Sequence, residues 1–456
     1  MIQLWFSEQP EIALTGITLT NSSGVAMSLG VVTAVPDTAL SVIVSISASL
    51  PAGDYTVAWR TMATDGHPSH GTFVFSVATG VASGVATGAS AGTTVGVAPG
   101  AQAAGRRVSA TVGALHSNMA DSMQNGMAVE SPIYVAVRWI SFMALILIIG
   151  VVAFRWLVLP RTDSGATHGA LSDAVLPRLA TLGFAASVVL VAATVWRLYA
   201  EHAVMGPGMD VSMFDMVRRT AWGTAWLVQM SAAIVACAGF ALIRAQSPGT
   251  TRLRPQAKSE ERTREPMRSG WIVATIAALV LGVTPALSGH AAAAPHLRWL
   301  ALTADSLHVL AAGGWLGSLF AMAAVGVPVA LVISTDRKLH AAPLVAELVN
   351  AFSPTALAFA AAVVATGIIS AWLRLESVSA LWRSTYGKVL LVKLALVVLV
   401  LAGGAFNWLR IRGALSDAVP GDEATKRFRQ SGMLELVAGA LVIVVTAVLV
   451  ATPTPI

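Results

Sequence analysis

Two of the nine histidines, His67 and His70, stand with Asp65 in the stretch TDGHPSHGTFVF, residues 64–75. In an extended chain, residues two apart project to the same side. Asp65 and His67 can therefore offer one carboxylate oxygen and one imidazole nitrogen to a common ion, a mixed donor set that suits Cu(II). A turn explains the same residues: Asp-Gly is a strong turn dipeptide, Pro68 fixes φ, and exposed His67 and His70 then need no ligand. Local sequence leaves both readings open.

Soft donors form a second set. His116 leads Met119, Met123 and Met127 in HSNMADSMQNGM, and His202 leads Met205, Met209, Met213 and Met216 in EHAVMGPGMDVSMFDM. Thioethers select Cu(I), although methionine is equally a gap-filler in apolar surroundings. A third set is embedded in apolar sequence: His290, Asp305 and His308 in SGHAAAAPHLRWLALTADSLHVLAAGGWLGSLF. Asp305 and His308 are three apart and share a helical face. A carboxylate beside an imidazole can be a metal site, a proton relay or a tautomer-fixing pair, and the plainer alternative is an interhelical hydrogen bond. Lys393, in YGKVLLVKLALVV, either joins such a path or snorkels to the surface. Asn407 and Glu435 either close an inner gate or tie two helices together.

The elements that must position these groups follow from composition. With 55% hydrophobic and 11% charged residues, this is a membrane protein. The single cysteine, Cys237, excludes a disulfide framework or a cysteine-type zinc site within one chain. A net charge of +6 is spread over short segments between apolar runs, which fits membrane topology rather than nucleic-acid binding. Residues 1–78 carry short alternating runs (GITLTN, ALSVIVSIS, DYTVAWR, TFVFSV) separated by turn signals such as NSSG and LPAGD, the pattern of an all-β sandwich. Residues 79–131 lack large side chains over most of their length and read as a flexible linker with a Met/His-rich end. From 132 to 456 come eight apolar stretches of bilayer-spanning length, at about 132–155, 176–198, 220–243, 270–289, 300–333, 353–375, 387–410 and 431–451. Basic residues concentrate in 244–268 and 410–429, so the positive-inside rule puts those loops in the cytoplasm and both the β-domain and the C-terminus outside. Met1 opens on strand-like IQLWFS without the basic and apolar regions of an export signal, so a missing upstream portion is expected.

Several stretches resemble a known family. FSEQPE, GITLT, LPAGDYTVAWR and DGHPSHGTFVF resemble the CopC domain of bacterial copper-resistance proteins. SGHA, the pattern D-x-x-H-x-L-A-A-x-x-W-L-G beginning at Asp305, FSPTALAFAAAVVATG, TYGKVLLVKLALV and ELVAGALVIVVTAVLVATP resemble the CopD membrane protein, in the order of a CopC–CopD fusion. The resemblance implies a cupredoxin-like β-sandwich, here lacking its N-terminal part, that binds Cu(II) outside the cytoplasmic membrane and delivers it to a helical bundle for import in copper homeostasis and resistance. CopC-type ligands are a mature N-terminal histidine with the Asp and first His of the D-G-H motif. Asp65 and His67 match, whereas the N-terminal histidine has no counterpart. His290, Asp305 and His308 are carried over as metal-path candidates, with Lys393 beside them. Copper ion, the lipid bilayer and periplasmic copper chaperones are the partners implied.

No enzymatic activity is expected. The chain has no G-x-x-x-x-G-K-[ST], so movement of copper would draw on the membrane potential or a gradient. Two other classes fit parts of the pattern: an intramembrane haem or redox protein with His290 and His308 as ligands, and a non-transporting periplasmic copper buffer or sensor.

Overall fold

A computed structural model describes residues 1–6, 8–36, 38–64, 68–78, 132–162, 166–204, 212–246, 260–293, 297–336, 341–375, 377–406 and 422–452. Contacts divide the chain into two compact units, one built on the strands and one on the helices.

The strands are β1 (Ile2–Trp5), β2 (Gly16–Asn21), β3 (Ala26–Met27), β4 (Thr33–Val35), β5 (Thr38–Val44), β6 (Gly53–Met62) and β7 (Pro68–Val77). They form two antiparallel sheets, ordered β1-β5-β4 and β3-β2-β6-β7. Both sheets contribute to one core: Ile2, Leu4, Val42 and Val44 from the first, Leu19, Tyr55 and Val57 from the second. The alternation in DYTVAWR works as period two requires, since Tyr55 and Val57 are buried and Trp59 packs against the same core. Burying a side chain such as Val57 contributes about 1.5–3 kcal/mol. The turn signals are also realised. In NSSG, Asn21 Oδ1 accepts from the backbone N–H groups of Ser23 at 3.1 Å and Val25 at 2.8 Å, and Gly24 takes a positive φ of 79°. In LPAGD, the Tyr55 hydroxyl donates to the Pro51 carbonyl at 2.8 Å and ties the turn to the core.

Among the described residues, eight helices are long and apolar enough to cross a membrane: α1 (Pro132–Arg161), α2 (Gly169–Ala203), α3 (Ala221–Ala245), α4 (Arg268–Leu287), α5 (Arg298–Asp336), α6 (Pro343–Arg374), α7 (Thr385–Phe406) and α8 (Gly432–Leu449). Each coincides with one expected apolar stretch. Several helices run further than the apolar windows, for instance to Glu260 before α4 and Asp422 before α8, because charged and polar residues continue a helix without continuing its hydropathy.

One crossing organises the bundle. A methyl group on Gly150 of α1 would lie 2.0 Å from the Gly317 carbonyl carbon of α5, and one on Gly317 would lie 2.1 Å from the Ile146 carbonyl oxygen. The two backbones therefore meet directly, as small residues permit in membrane helices. Around this point α5 departs from α-helical winding twice, with π-turns at Gly313–Gly317 and Met322–Gly326. Such π-turns occur frequently at functional sites. Gly313 and Gly314 receive Ile149 and Phe359, so the GGWLG stretch is a packing hub that holds α5 between α1 and α6.

Candidate functional site

Asp305 and His308 lie on α5 and both reach α6. The Asp305 carboxylate accepts from the Ser370 hydroxyl at 2.7 Å and forms an ion pair with Arg374. One turn further along α5, His308 Nδ1 is 3.0 Å from Thr366 Oγ1. Thr366, Ser370 and Arg374 are spaced four apart, so they line one face of α6, and the antiparallel helices make a ladder of polar rungs. Thr366 donates its hydroxyl proton to the Ala362 carbonyl at 2.6 Å. Its oxygen is then an acceptor towards the imidazole, so Nδ1 carries the proton and Nε2 keeps its lone pair, the arrangement of a metal-binding histidine oriented by a neighbour. Gly367 faces the ring, and a methyl group there would meet His308 Cε1 in ordinary van der Waals contact at 3.4 Å.

The other candidates in the bundle gather at this ladder. His290 opens the short helix His290–Ala293 between α4 and α5, and its ring meets Tyr386 of α7 edge-on at 6.4 Å. Tyr386 is buried, and its phenol and the Arg374 guanidinium are close enough to act on each other electrostatically. Lys393, two turns into α7, acts electrostatically on His308, as does Arg374. Asp305 sits roughly 10 Å along α5 from Arg298, at about 1.5 Å per residue, so it and His308 lie in the N-terminal third of that helix. One carboxylate here faces two cationic groups. Among the described residues, no group of three or more His, Cys, Asp or Glu side chains is placed to hold a metal ion. The ladder can offer an imidazole nitrogen and, once Asp305 is released, a carboxylate oxygen.

Sequence reading did not select Thr366, Ser370, Arg374 or Tyr386. Their signal was available: three polar residues at intervals of four on a helix of bilayer length mark an interior-facing stripe. A second group was missed altogether. Glu201 of α2 is 1% exposed, takes a hydrogen bond from the Tyr134 hydroxyl of α1, and lies 3.9 Å from Arg197. Arg138, also buried, stacks over the Tyr134 ring at 4.9 Å and donates to the Ala447 carbonyl of α8 at 3.4 Å, while Arg197 lies over the buried Trp222 ring at 5.4 Å. His202 is the next residue along from Glu201 and is partly exposed.

The remaining candidates are dispersed or undescribed. His70 lies in β7 opposite Arg60 and is exposed. Gly71 beside it pairs with Trp59, and a methyl group there would strike the indole at 2.8 Å, so the residue after His70 serves packing. Asp65 and His67 fall in the interval between β6 and β7, outside the described residues, as do His116, Met119, Met123, Met127, Met205, Met209 and Asn407. Glu435 of α8 is buried against the bare backbone of Gly403 and Gly404 in α7.

Comparison with protein families matches three consecutive regions. The CopC domain model matches residues 1–78. The model for the copper resistance protein D-like N-terminal domain matches 127–297, and that for copper resistance protein D matches 346–449. The chain joins a CopC domain to a CopD-type membrane domain. This CopC–CopD fusion is 27% identical over 327 residues to copper resistance protein D of Pseudomonas syringae pv. tomato, covering 69% of the fusion and 94% of that relative. It is 23% identical over 467 aligned positions to the copper transport protein CutJ of Bacillus subtilis (strain 168), covering 100% of the fusion and 71% of the relative. No solved structure matches. The fusion is thus a multi-pass membrane protein of a copper-handling family. Thr366, Ser370, Arg374, Tyr386 and Lys393 all fall within the copper resistance protein D match, and His290 within the N-terminal match. Asp305 and His308 lie between the two matched regions.

Proposed function

We propose that this protein captures copper outside the cytoplasmic membrane and moves it inward, with the β-domain and the C-terminus on the outer side. Asp65 and His67 serve as two ligands of an extracytoplasmic Cu(II) site, and the Met/His segments at 116–127 and 202–209 offer Cu(I) donors. The convergence of His290, Asp305, His308 and Lys393 at one layer of the bundle, from three parts of the chain, carries this reading. Polar and ionisable groups inside a bilayer are costly to hold, which makes an interior-facing ladder of them a natural ion path. The names of the relatives support copper as the cargo. The basic loops support the orientation, and an inside-negative potential favours inward movement of a cation.

Radiocopper uptake into proteoliposomes holding the full chain tests this. Wild type is expected to accumulate copper and His308→Ala to fall to background. Unaltered uptake in the variant removes His308 from the path, and no uptake in wild type favours a periplasmic buffer. A Soret band in the purified protein would instead support the haem reading.

A further inference from the structure

The Asp305 carboxylate, the one acidic group of the ladder, is already engaged: Ser370 donates to one oxygen and Arg374 pairs with the other. A guanidinium keeps its charge under all physiological conditions, so this internal cation does not leave by deprotonation. It can leave by moving. Arg374 ends α6, its side chain is long, and the Tyr386 phenol of α7, close enough to act on it electrostatically, can serve as a second seat. With Lys393 adding positive charge near His308, an entering cation gains little from this layer until Arg374 lets go of Asp305.

We propose that Arg374 is a tethered surrogate cation that occupies the copper seat on Asp305 and makes passage selective, an inference that rests on copper passing Asp305 and His308. Hard cations bind oxygen and would have only the carboxylate to gain, too little to displace a bidentate-capable guanidinium. Copper also gains the Nε2 lone pair of His308 one turn deeper, a donor that suits it and not the alkali metals. Displaced from Asp305, Arg374 rests on Tyr386. Arg374 is a positioning residue in this scheme and touches no copper.

Cu(II) affinity of the full-length protein in lipid nanodiscs, with Asp65→Ala and His67→Ala in every variant to remove the outer Cu(II) site, measured by competition with a chromophoric chelator, tests the scheme. Arg374→Gln is expected to tighten binding by about tenfold or more, because a unit positive charge leaves a site poorly screened by water. Arg374→Lys, which keeps the charge, stays near wild type. Tyr386→Phe, which keeps the ring but removes the second seat, weakens binding. The gain from Arg374→Gln vanishes when Asp305→Asn is added. A merely structural arginine would give weaker binding on removal, so unchanged or weaker binding in Arg374→Gln overturns the proposal. So does tightening in Tyr386→Phe, a variant mild enough to fold if Arg374→Gln does not. If neither His308→Ala nor Asp305→Asn alters copper binding in any background, the underlying path assignment fails, and the surrogate role fails with it.

Discussion

His308 and Thr366 face each other across α5 and α6 with Nδ1 3.0 Å from Oγ1, and the threonine's own proton is already committed to the Ala362 carbonyl. The imidazole is therefore held with Nε2 as its available lone pair. Thr366→Val keeps the shape and removes the acceptor, leaving the ring without its orienting partner. Copper uptake in proteoliposomes is expected to fall by about tenfold, the usual scale for loss of a group that orients a ligand. Thr366→Ser, which retains the oxygen, should recover most of it.

The buried group around Glu201 predicts a stability effect. Its carboxylate stands with Tyr134 and Arg197, and Arg138 stacks on the same tyrosine. Glu201→Gln leaves buried positive charge uncompensated and should lower stability by about 3–5 kcal/mol. Tyr134→Phe removes one hydrogen-bonded hydroxyl and should cost less than Glu201→Gln, though more than the ~1 kcal/mol of a neutral hydrogen bond, since this one is to a charged group. Thermal unfolding of the purified protein in one detergent ranks the two.

The crossing of α1 and α5 should not tolerate a methyl group. Gly317→Ala places a carbon 2.1 Å from the Ile146 carbonyl oxygen, and neither backbone can withdraw without moving a whole helix. Destabilisation of at least about 1–3 kcal/mol is expected, with loss of monodisperse protein as the readout. Gly169→Ala, with nothing within 4 Å, is the control and should be neutral within about 0.5 kcal/mol.

His70 and its neighbours predict an asymmetry within one motif. His70 is exposed on a paired strand, opposite Arg60. His70→Ala should leave the Cu(II) electron paramagnetic resonance signal of the full chain unchanged. Asp65→Ala and His67→Ala should each abolish it. Retention of the signal in both of the latter would move the Cu(II) site elsewhere.

Much of the architecture was readable from local pattern. Period-two alternation placed Tyr55, Val57 and Trp59 on one face, and eight apolar runs anticipated the eight spans, because hydropathy and strand alternation are properties of neighbouring residues. The i,i+3 spacing of Asp305 and His308 likewise put them on one face of a helix before any fold was known. Which groups they would meet was beyond reach of spacing alone. Arg374 reads in sequence as a basic residue at a helix end, and the fold turns it into the partner of Asp305, 69 positions away. Arg197 and Arg138 likewise join a buried group with Glu201 that local pattern does not reveal.

The sequence by itself determined the membrane class, the β-domain, the spans and the acidic and imidazole groups available for copper. Tertiary structure decided that Asp305 faces Arg374 and that His308 faces Thr366, because an antiparallel contact between two helices pairs residues by packing register. That register is set here by glycines such as Gly150, Gly313, Gly314 and Gly317, which let α5 seat deeply against α1 and α6.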